Sequence, residues 1–540
     1  MDEREREEAV IDAAEESFRS RHARRLEGHL GDLCLRSLLR SPGRTVVVDY
    51  AAERKELKAA MFVAAAAALA CRWRKRIPER RVGVVLPAGL GSMLVNLALV
   101  LMDKVPVNLN FTIGRSAVKS GIERAGIETV ITAATMQERV GDFPWPEHIV
   151  DLMRERAEMG KRPVIPWLLA ARLMRGGVMG RILGVPRTAG RREAGVLFSS
   201  GSTGEPSGIV LTHSNVIANC LQIEETGLLN AREKLLSCLP PFHSFGFTVG
   251  MWYPMYAGVS VVSVPSPLET KRIAEVIAAE NATVLPAAPT FLRPFLKRVE
   301  PEMLQSLKCV VSGAEKTPAG LDQRWERTFG MPYLEGYGIT ETAPVVAVNL
   351  PERRRRGSVG ALMPGMCARI VDPSSGEPCG IDDIGMLELR GPNIFPGYLG
   401  QEKKSAEAFR DGWYVTGDLA RIDSDGFLYI EGRLKRFSKI GGEMVPHGRV
   451  EEAVAEALGI EDSETPQIAV TGIEDPSKGE TLVLLTTLEL AADQLREKLV
   501  AQGIPNLWIP RKIRKVDRIP VLSSGKLDLQ QVQQLSSQVK

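Results

Sequence analysis

Five short segments of this chain place chemically active side chains next to glycines. The first runs from Ser199 to Gly208 and follows the apolar stretch Val-Leu-Phe. Its small residues let backbone N–H groups turn inward and its hydroxyls add donors, which together suit the oxygens of a polyphosphate. It is not a Walker A loop, because no Gly-Lys-Ser/Thr follows Gly201 or Gly204 at the required spacing. Taken alone, such a loop is more often a linker than a site, so its interpretation depends on the other four segments.

The other segments contribute carboxylates, an aromatic ring and cations. Gly313-Ala314-Glu315 follows an apolar stretch, which predicts a position at the carboxyl edge where open sheets bind ligands. The run from Tyr337 through Gly338 and Thr340 to Glu341 offers a stacking ring and a hard oxygen ligand suited to Mg²⁺ on phosphates. A carboxylate able to accept both hydroxyls of a ribose comes from 413–418, and the fifth segment is a pair of cationic stretches, 432–436 and 523–526, counted together. Each segment is a weak signal, and the five in this order are a strong one.

Alternating elements must position these segments. Apolar runs of strand length alternate with helical stretches up to about residue 350, which predicts a parallel or mixed sheet covered by helices on both faces. Short strands with glycine turns follow from about residue 357, and the last hundred residues alternate again. We predict an α/β fold with a large N-terminal domain of helix-covered β-sheets and a β-rich subdomain, residues 1–433, in which 1–30 form a charged, solvated helical arm. Residues 434–540 are predicted to form a small mobile α+β domain.

Composition excludes several classes of protein. Of 540 residues, 69 are Lys or Arg and 66 are Asp or Glu, and aromatic residues make up 6%. A net charge of only +3 and few stacking rings argue against a nucleic-acid partner. The seven cysteines form no CxxC, so neither a zinc knuckle nor a disulfide framework is predicted, and a reducing cytoplasm fits best. The acidic first residues contain no apolar run, so we expect no secretory signal there.

Three stretches raise the question of a membrane. Residues 59–71 are too short to span a bilayer, and 82–102 read as a buried strand, a turn and a helix that begins at Ser92 as its N-cap. Residues 161–192 hold eight Lys or Arg and no acidic residue, with apolar residues between them. This span is interpreted either as a basic excursion packed on the domain or as a peripheral contact with an anionic membrane.

With these segments in place, the sequence resembles the adenylate-forming superfamily of acyl-CoA synthetases, peptide-synthetase adenylation domains and luciferases, from about residue 30 to the end. Within it, the chain is most similar to acyl-acyl-carrier-protein synthetases, which form one part of 2-acylglycerophosphoethanolamine acyltransferases. The stretches that carry this closer similarity are VPVNLNFTIG, LPPFHSFGFTVG, VSGAEK, LEGYGITETAPVVAVN and GRLKRFSKIGGEMVP.

The resemblance implies an ATP- and Mg²⁺-dependent enzyme that activates a fatty acid and passes it to the thiol of an acyl carrier protein or of CoA. It implies catalytic roles for Lys526, Thr340 and Glu341, with Glu341 as the metal ligand, and a hinge at Lys435. The residues it implies for nucleotide binding are Ser199, Ser200, Gly201, Ser202, Thr203, Gly204, Gly313, Ala314, Glu315, Tyr337, Gly338, Asp418, Arg433 and Lys439.

The same resemblance exposes one departure. Members of the superfamily usually carry a lysine where this chain has Ser207. A missing cation near the γ-phosphate is expected to weaken ATP binding or slow adenylation, and it keeps open a weakly active or non-catalytic acyl-adenylate-binding protein.

The resemblance places His243, Phe245 and Val345 in the substrate pocket. Amino-acid-activating relatives place an aspartate where this chain has His243, so an acid without an α-amino group is favoured. Further apolar residues, Phe247, Val249, Trp252 and Val346, fit either an acyl tunnel or the core. A run of four arginines, 353–356, fits either a solvated loop or a docking site for an acidic carrier protein. A medium- or long-chain acyl-CoA synthetase remains the alternative function.

Overall fold

A computed structural model describes residues 3–199, 206–440, 443–460, 466–475, 479–521 and 527–538. Within these ranges the strands are β1 Thr45–Asp49, β2 Lys55–Lys58, β3 Arg81–Val84, β4 Val105–Asn108, β5 Thr129–Thr132, β6 His148–Asp151, β7 Glu193–Ser199, β8 Ser207–Thr212, β9 Lys234–Ser237, β10 Ser260–Ser263, β11 Val284–Ala287, β12 Cys309–Ser312, β13 Tyr333–Gly338, β14 Val345–Val348, β15 Ala361–Leu362, β16 Cys367–Val371, β17 Gly385–Arg390, β18 Phe409–Arg410, β19 Trp413–Ile422, β20 Leu428–Arg433, β21 Phe437–Ile440, β22 Glu443–Pro446, β23 Ile468–Asp475, β24 Gly479–Thr486 and β25 Lys512–Lys515.

The α-helices in the same ranges are α1 Glu3–Leu26, α2 Leu30–Leu38, α3 Ala59–Trp73, α4 Leu90–Leu101, α5 Arg115–Ala125, α6 Ala134–Arg139, α7 Leu152–Met159, α8 Val164–Leu173, α9 Gly176–Ile182, α10 His213–Thr226, α11 Tyr253–Ala257, α12 Thr270–Glu280, α13 Pro289–Leu292, α14 Phe295–Arg298, α15 Leu321–Phe329, α16 Glu402–Glu407, α17 His447–Leu458, α18 Ala492–Ala501 and α19 Leu529–Ser537.

Two mixed sheets with helices packed on them form the body of the large domain. One has nine strands in the order β15-β14-β13-β12-β11-β9-β10-β1-β2, and the other has six in the order β6-β5-β3-β4-β7-β8. The inner strands are parallel, short and apolar, as expected for strands buried on both faces. Antiparallel strands lie at three of the four edges, and β6 at the fourth pairs with β5 in parallel. The prediction of a mixed α/β fold with helix-covered sheets is confirmed.

A β-rich subdomain follows, as the change in sequence texture predicted. Its strands run β16-β17-β19-β18, with β20 also paired to β19, and all these pairs are antiparallel. Strand β19 is ten residues long and carries both Trp413 and Asp418.

The C-terminal part is the predicted small α+β domain. Its sheet runs β22-β21-β24-β23, with β25 parallel to β24, and α17, α18 and α19 supply helices. Val450, Val454, Leu482 and Leu484 belong to its buried core. The boundary at 433/434 and the mobility of this domain stay predictions.

The N-terminal arm differs from the solvated helix that its charge predicts. Helix α1 is docked on the large domain, because Phe18 is fully buried and takes up the space beside Gly365. A hydrogen bond between His22 and Glu225 and an ion pair of Arg390 with Glu15 add to this contact. A single aromatic anchor therefore outweighs a sequence that is otherwise mostly polar.

The two apolar stretches 59–71 and 82–102 are structural elements of the large domain. The first lies in α3, which is mostly buried, and the second forms β3 and α4. Helix α4 begins after Gly89 rather than after Ser92, whose Oγ donates to the carbonyl of Gly89 inside the first turn. Among the described residues, no helix is both long and apolar enough to cross a bilayer.

Candidate functional site

The expected phosphate loop joins two antiparallel strands. Ser199 ends β7 and pairs with Ser207, the first residue of β8. Ser200, Gly201, Ser202, Thr203 and Gly204 lie outside the described residues. The two strand ends therefore fix where the loop leaves and rejoins the six-stranded sheet.

A lysine that no sequence motif revealed lies at the end of this loop. Ser207 is only 3% exposed, and Lys404 donates from its ammonium to the Ser207 hydroxyl. The Lys404 Nζ also lies 4.4 Å from the centroid of the Tyr398 ring. The backbone holds this arrangement, because the N–H of Leu399 donates to the carbonyl of Gly208 over 2.8 Å. A cation from α16 thus lies beside Ser207, the residue at which the superfamily usually has a lysine.

Glu341 lies in a single 3₁₀ turn between β13 and β14, together with Thr340. Its carboxylate accepts a hydrogen bond from the Tyr398 hydroxyl over 3.1 Å, and burial raises the pKa of the Glu341 carboxyl. The hydroxyl of Thr340 donates to the Ser244 hydroxyl over 3.4 Å. A half-buried carboxylate whose ionised form is disfavoured is stabilised by a nearby hard cation, so these oxygens fit Mg²⁺.

Asp418, Tyr337 and Arg433 form one hydrogen-bonded cluster. The Asp418 carboxylate is 4% exposed, accepts from the Tyr337 hydroxyl, and lies 2.7 Å from the Arg433 Nε. Strand pairing explains this geometry, because Asp418 on β19 is directly opposite Arg433 on β20. Burial raises the pKa of Asp418, and the charge of Arg433 opposes that rise. The expected ribose ligands are therefore brought together.

The residues expected around adenine lie on adjacent strands. Gly313 and Ala314 follow β12, Tyr337 and Gly338 end β13, and these two strands are parallel neighbours. A Cβ on Gly313 would lie 3.3 Å from the carbonyl oxygen of Gly336, so a side chain there would crowd the next strand. The parallel order therefore brings these carboxyl ends to one edge, as predicted.

Glu315, the third residue of that segment, is held at the same edge by a different element. Its carboxylate accepts hydrogen bonds from the hydroxyl and from the backbone N–H of Thr290, which lies in α13.

The residues expected to line the acyl pocket differ in how far they are buried. Phe245 and Val345 are half-buried, and His243 is exposed. Phe245 is the first residue of a π-helical segment, Phe245–Trp252, and its ring would lie 3.7 Å from a Cβ on Gly313. Four further residues proposed for the tunnel are core residues instead, namely Phe247, Val249, Trp252 and Val346.

The C-terminal residues expected to act lie partly within the described ranges. Lys526 lies outside them, and Lys435 lies in the short turn Leu434–Arg436 directly after Arg433. Lys439 is on β21, and its ammonium donates to the Ser374 hydroxyl over 3.3 Å. Its side chain thus ends at the turn between β16 and β17 and not in the cluster around Asp418.

A second cluster of titratable groups lies elsewhere in the large domain. His29, Asp103 and His213 lie within one metal-sized volume, with the two imidazole rings 4.3 Å apart. The Nδ1 atoms of His29 and His213 accept hydrogen bonds from the backbone N–H groups of Gly31 and Leu30. A neutral imidazole that accepts at Nδ1 carries its proton on Nε2 and has no lone pair there for a metal. This cluster is therefore a cap for the start of α2.

Two family models match this chain. The family model described as "AMP-binding enzyme" matches residues 36–399, and that of the AMP-binding enzyme C-terminal domain matches 450–526.

The chain belongs to the AMP-binding enzyme family.

One family relative is the long-chain-fatty-acid–CoA ligase of Bacillus subtilis, 31% identical over 64% of this chain and 62% of that protein. A feruloyl-CoA synthase from an Amycolatopsis species is 30% identical over 62% of this chain and 67% of its own length. The matched part of this chain thus spans less than two thirds of the fatty-acid ligase. The fold is shared with the solved structure of O-succinylbenzoate coenzyme A synthetase from Bacillus subtilis in complex with ATP and magnesium. The TM-score is 0.75 at 21% sequence identity, and the match covers 93% of this chain and 99% of that chain.

Proposed function

We propose that this protein is an AMP-forming acid–thiol ligase. It would activate a fatty acid with ATP to an acyl-adenylate and transfer the acyl group to a phosphopantetheine thiol, with release of pyrophosphate and AMP. The observation that carries the proposal is the convergence of Asp418 and Arg433, from the β-rich subdomain, with Tyr337 and Glu341 at the carboxyl end of β13. Its family membership and its similarity to CoA ligases support the same reaction.

The first step joins two anions, so it needs cations where negative charge develops. A carboxylate attacks the α-phosphate and pyrophosphate leaves, which favours positive groups fixed around the phosphates. In this proposal Glu341, with Thr340 nearby, would hold Mg²⁺, which supplies charge neutralisation when bound. Lys526 would reach the α-phosphate and the acid, and Asp418 and Arg433 would hold the ribose.

Lys404 supports a catalytic protein over a non-catalytic binding protein. Its ammonium lies at Ser207, so the lysine that the loop lacks is replaced in space by one from α16. We assign Lys404 the role of a cation for the outer phosphates of ATP. The expectation of weak ATP binding or slow adenylation assumed that no cation lies near Ser207. Because Lys404 lies there, we do not include that expectation in the proposal.

The second step needs a thiol to reach the acyl-adenylate. We propose that the small domain rotates at Lys435 after adenylation, withdraws Lys526, and presents the face near Lys439 to the thiol. The contact of Lys439 with Ser374 belongs to one pose of this motion.

The acceptor is either an acyl carrier protein or CoA, and we favour the carrier protein on the resemblance of stretches such as VPVNLNFTIG and GRLKRFSKIGGEMVP to acyl-acyl-carrier-protein synthetases. The arginine run 353–356 gives this choice little support. Arg354 and Arg356 both pair with Glu326, and Arg355 pairs with Asp423 and Asp425. Because three of the four arginines already pair with carboxylates of this chain, we do not include the run in the proposed carrier site. CoA as the acceptor, as in the named relatives, is the second candidate.

The test is carboxylate-dependent exchange of pyrophosphate into ATP across fatty acids of increasing length. We expect exchange with wild-type protein and none with Lys526→Ala, while both proteins transfer acyl groups from supplied acyl-adenylate to a thiol. Absence of exchange with every acid would overturn the proposal. Holo-carrier protein and CoA, offered separately, then distinguish the two acceptors.

We also propose that residues 161–192 contact a membrane, which was the second interpretation of that span. This proposal is argued from the exposed side chains of α8 and α9.

A further inference from the structure

Exposed apolar side chains are concentrated on two consecutive helices, α8 and α9. Of the fourteen large apolar side chains that are exposed among the described residues, six lie between residues 165 and 182. The six, which we call the outer face, are Ile165, Leu169, Leu173, Met174, Val178 and Ile182. Leu173, at the junction of the helices, is 83% exposed. Contiguous apolar surface of this kind marks a site of contact with another body.

The outer face is a regular consequence of helix geometry. Ile165, Leu169 and Leu173 are four residues apart on α8, and Val178 and Ile182 are four apart on α9, so each set shares one side of its helix. The opposite sides are occupied, because α8 packs against α3 and α9 packs against α2. Helix α9 lies close to α2, because a Cβ added at Gly176 would clash with the backbone of α2. Packing therefore fixes which side of each helix faces outward.

Positive charge surrounds the outer face. Lys161, Arg162, Arg172, Arg175 and Arg181 are all exposed, and residues 161–192 contain no Asp or Glu. Among the described residues, none of these five cations has an ion-pair partner. The span therefore presents free positive charge next to free apolar area.

The nearest acidic residues along the chain do not offset this charge. Glu155 is buried and pairs with Arg72 and Arg76. Glu158 pairs with Arg72 and Arg154. Both carboxylates of α7 are thus already neutralised by arginines outside the 161–192 span.

We propose that the outer face and its surrounding cations dock on the surface of an anionic lipid bilayer. Leucine and isoleucine would enter the boundary between headgroups and acyl chains, while the arginines would bind lipid phosphates. A second copy of the chain is the less favoured occupant, because a twofold contact would place this unpaired positive charge against itself. This docking does not rest on the proposed function, although it would place a fatty-acid ligase where its apolar substrate dissolves.

The experiment is sedimentation of the full chain with vesicles of phosphatidylglycerol and phosphatidylcholine, and with vesicles of phosphatidylcholine alone. We expect binding to the anionic vesicles, weak binding to the neutral ones, and loss of binding as salt is raised from about 0.1 to 0.5 M. Leu169→Ser with Leu173→Ser is expected to weaken binding by about tenfold or more. Arg172→Gln with Arg175→Gln is expected to weaken it by about tenfold on anionic vesicles only.

The matched control is Leu268→Ser with Ile381→Ser, since these side chains are 73% and 71% exposed elsewhere on the large domain. It should bind vesicles like the wild type. All variants should keep wild-type thermal unfolding profiles, which shows that they fold without reference to enzyme activity. Failure of the wild type to bind anionic vesicles, equal loss in the control, or a dimer in solution that the Leu169/Leu173 variant dissolves would overturn the proposal.

Discussion

A lysine ammonium beside a phosphate site stabilises developing negative charge whichever element carries it. Lys404 and Ser207 are 197 residues apart in sequence, yet they form one hydrogen bond. Tyr398 links the two halves of this arrangement, because its ring lies under the Lys404 ammonium and its hydroxyl donates to Glu341. The loop cation and the expected metal ligand are therefore connected through one tyrosine.

Replacement of Lys404 tests its assignment. Lys404→Met should raise the KM for ATP in the exchange reaction by about tenfold, as for loss of one charge-assisted contact to phosphate. Lys403→Met is the matched control, because Lys403 is the neighbouring lysine and its side chain is 90% exposed. Steady-state kinetics on both variants measure the effect, and equal behaviour of the two would refute the assignment.

The pair also predicts a rescue. Ser207→Lys alone should give little gain, because it places a second ammonium against that of Lys404. Combined with Lys404→Met, the same substitution should restore most of the ATP affinity. A double variant no better than Lys404→Met would mean that the two positions do not serve the same phosphate.

At the scale of elements, the start of α2 depends on two histidines from different parts of the chain. His213 from α10 accepts the N–H of Leu30, and His29 accepts the N–H of Gly31. Burial lowers the pKa of His213 to about 2, and the nearby positive charge of Arg192 acts in the same direction against the weaker effect of Asp103. His213 is therefore neutral in the folded protein at neutral pH and is free to accept.

His213→Ala should lower the free energy of unfolding of the large domain by about 1–3 kcal/mol, because it leaves the buried N–H of Leu30 unpaired. Urea unfolding at pH 7 measures this loss, and His148→Ala, at an exposed position on β6, is the control. His213→Gln, which keeps an acceptor, should recover part of the stability.

The loss should also depend on pH. The unfolded chain has an ordinary histidine pKa near 6.5, so below that pH it binds a proton that folded His213 excludes. The contribution of His213 to the free energy of unfolding is fully present above pH 6.5. It decreases as the pH falls from 6.5 toward 2. The deficit of His213→Ala should therefore shrink by about 2 kcal/mol between pH 7 and pH 5. A deficit that stays constant over this range would contradict exclusion of the proton by burial.

At the scale of the whole molecule, ion pairs join the small domain to the large one. Lys316 pairs with Glu452 over 2.7 Å with both side chains about half exposed, and Arg449 pairs over 3.1 Å with the buried carboxylate of Glu431. The exposed pair contributes little free energy, so it can break at low cost during a rotation. Glu431 would keep Arg421 as a partner if Arg449 moved away.

Lys435→Pro tests that rotation. Proline fixes φ near −65°, which suits the present 3₁₀ turn and disfavours a different backbone pose. One half-reaction should keep its rate while the other slows by about tenfold or more. Pyrophosphate exchange and thiol transfer from supplied acyl-adenylate, measured separately, give the two rates.

Lys435→Ala is the matched control for the proline variant, because it removes the same ammonium and leaves the backbone free to rotate. It should keep both half-reactions near their wild-type rates. Equal slowing of both half-reactions in Lys435→Pro, or the same selective slowing in Lys435→Ala, would contradict a two-pose mechanism that depends on the backbone at this position.

The sequence by itself determined the alternation of strands and helices, the β-rich subdomain, the α+β end domain and the segments that converge at the sheet edge. These features are local, because they follow from the period of apolar residues and from the residue types that end each strand. Only the tertiary structure decided that Lys404 lies at Ser207 and that Phe18 anchors the N-terminal helix. It also decided that most of the apolar residues considered for an acyl tunnel belong to the core, and that α8 and α9 each leave one side uncovered. Each of these depends on residues far apart in the chain that packing brings together, and no local pattern records such a contact.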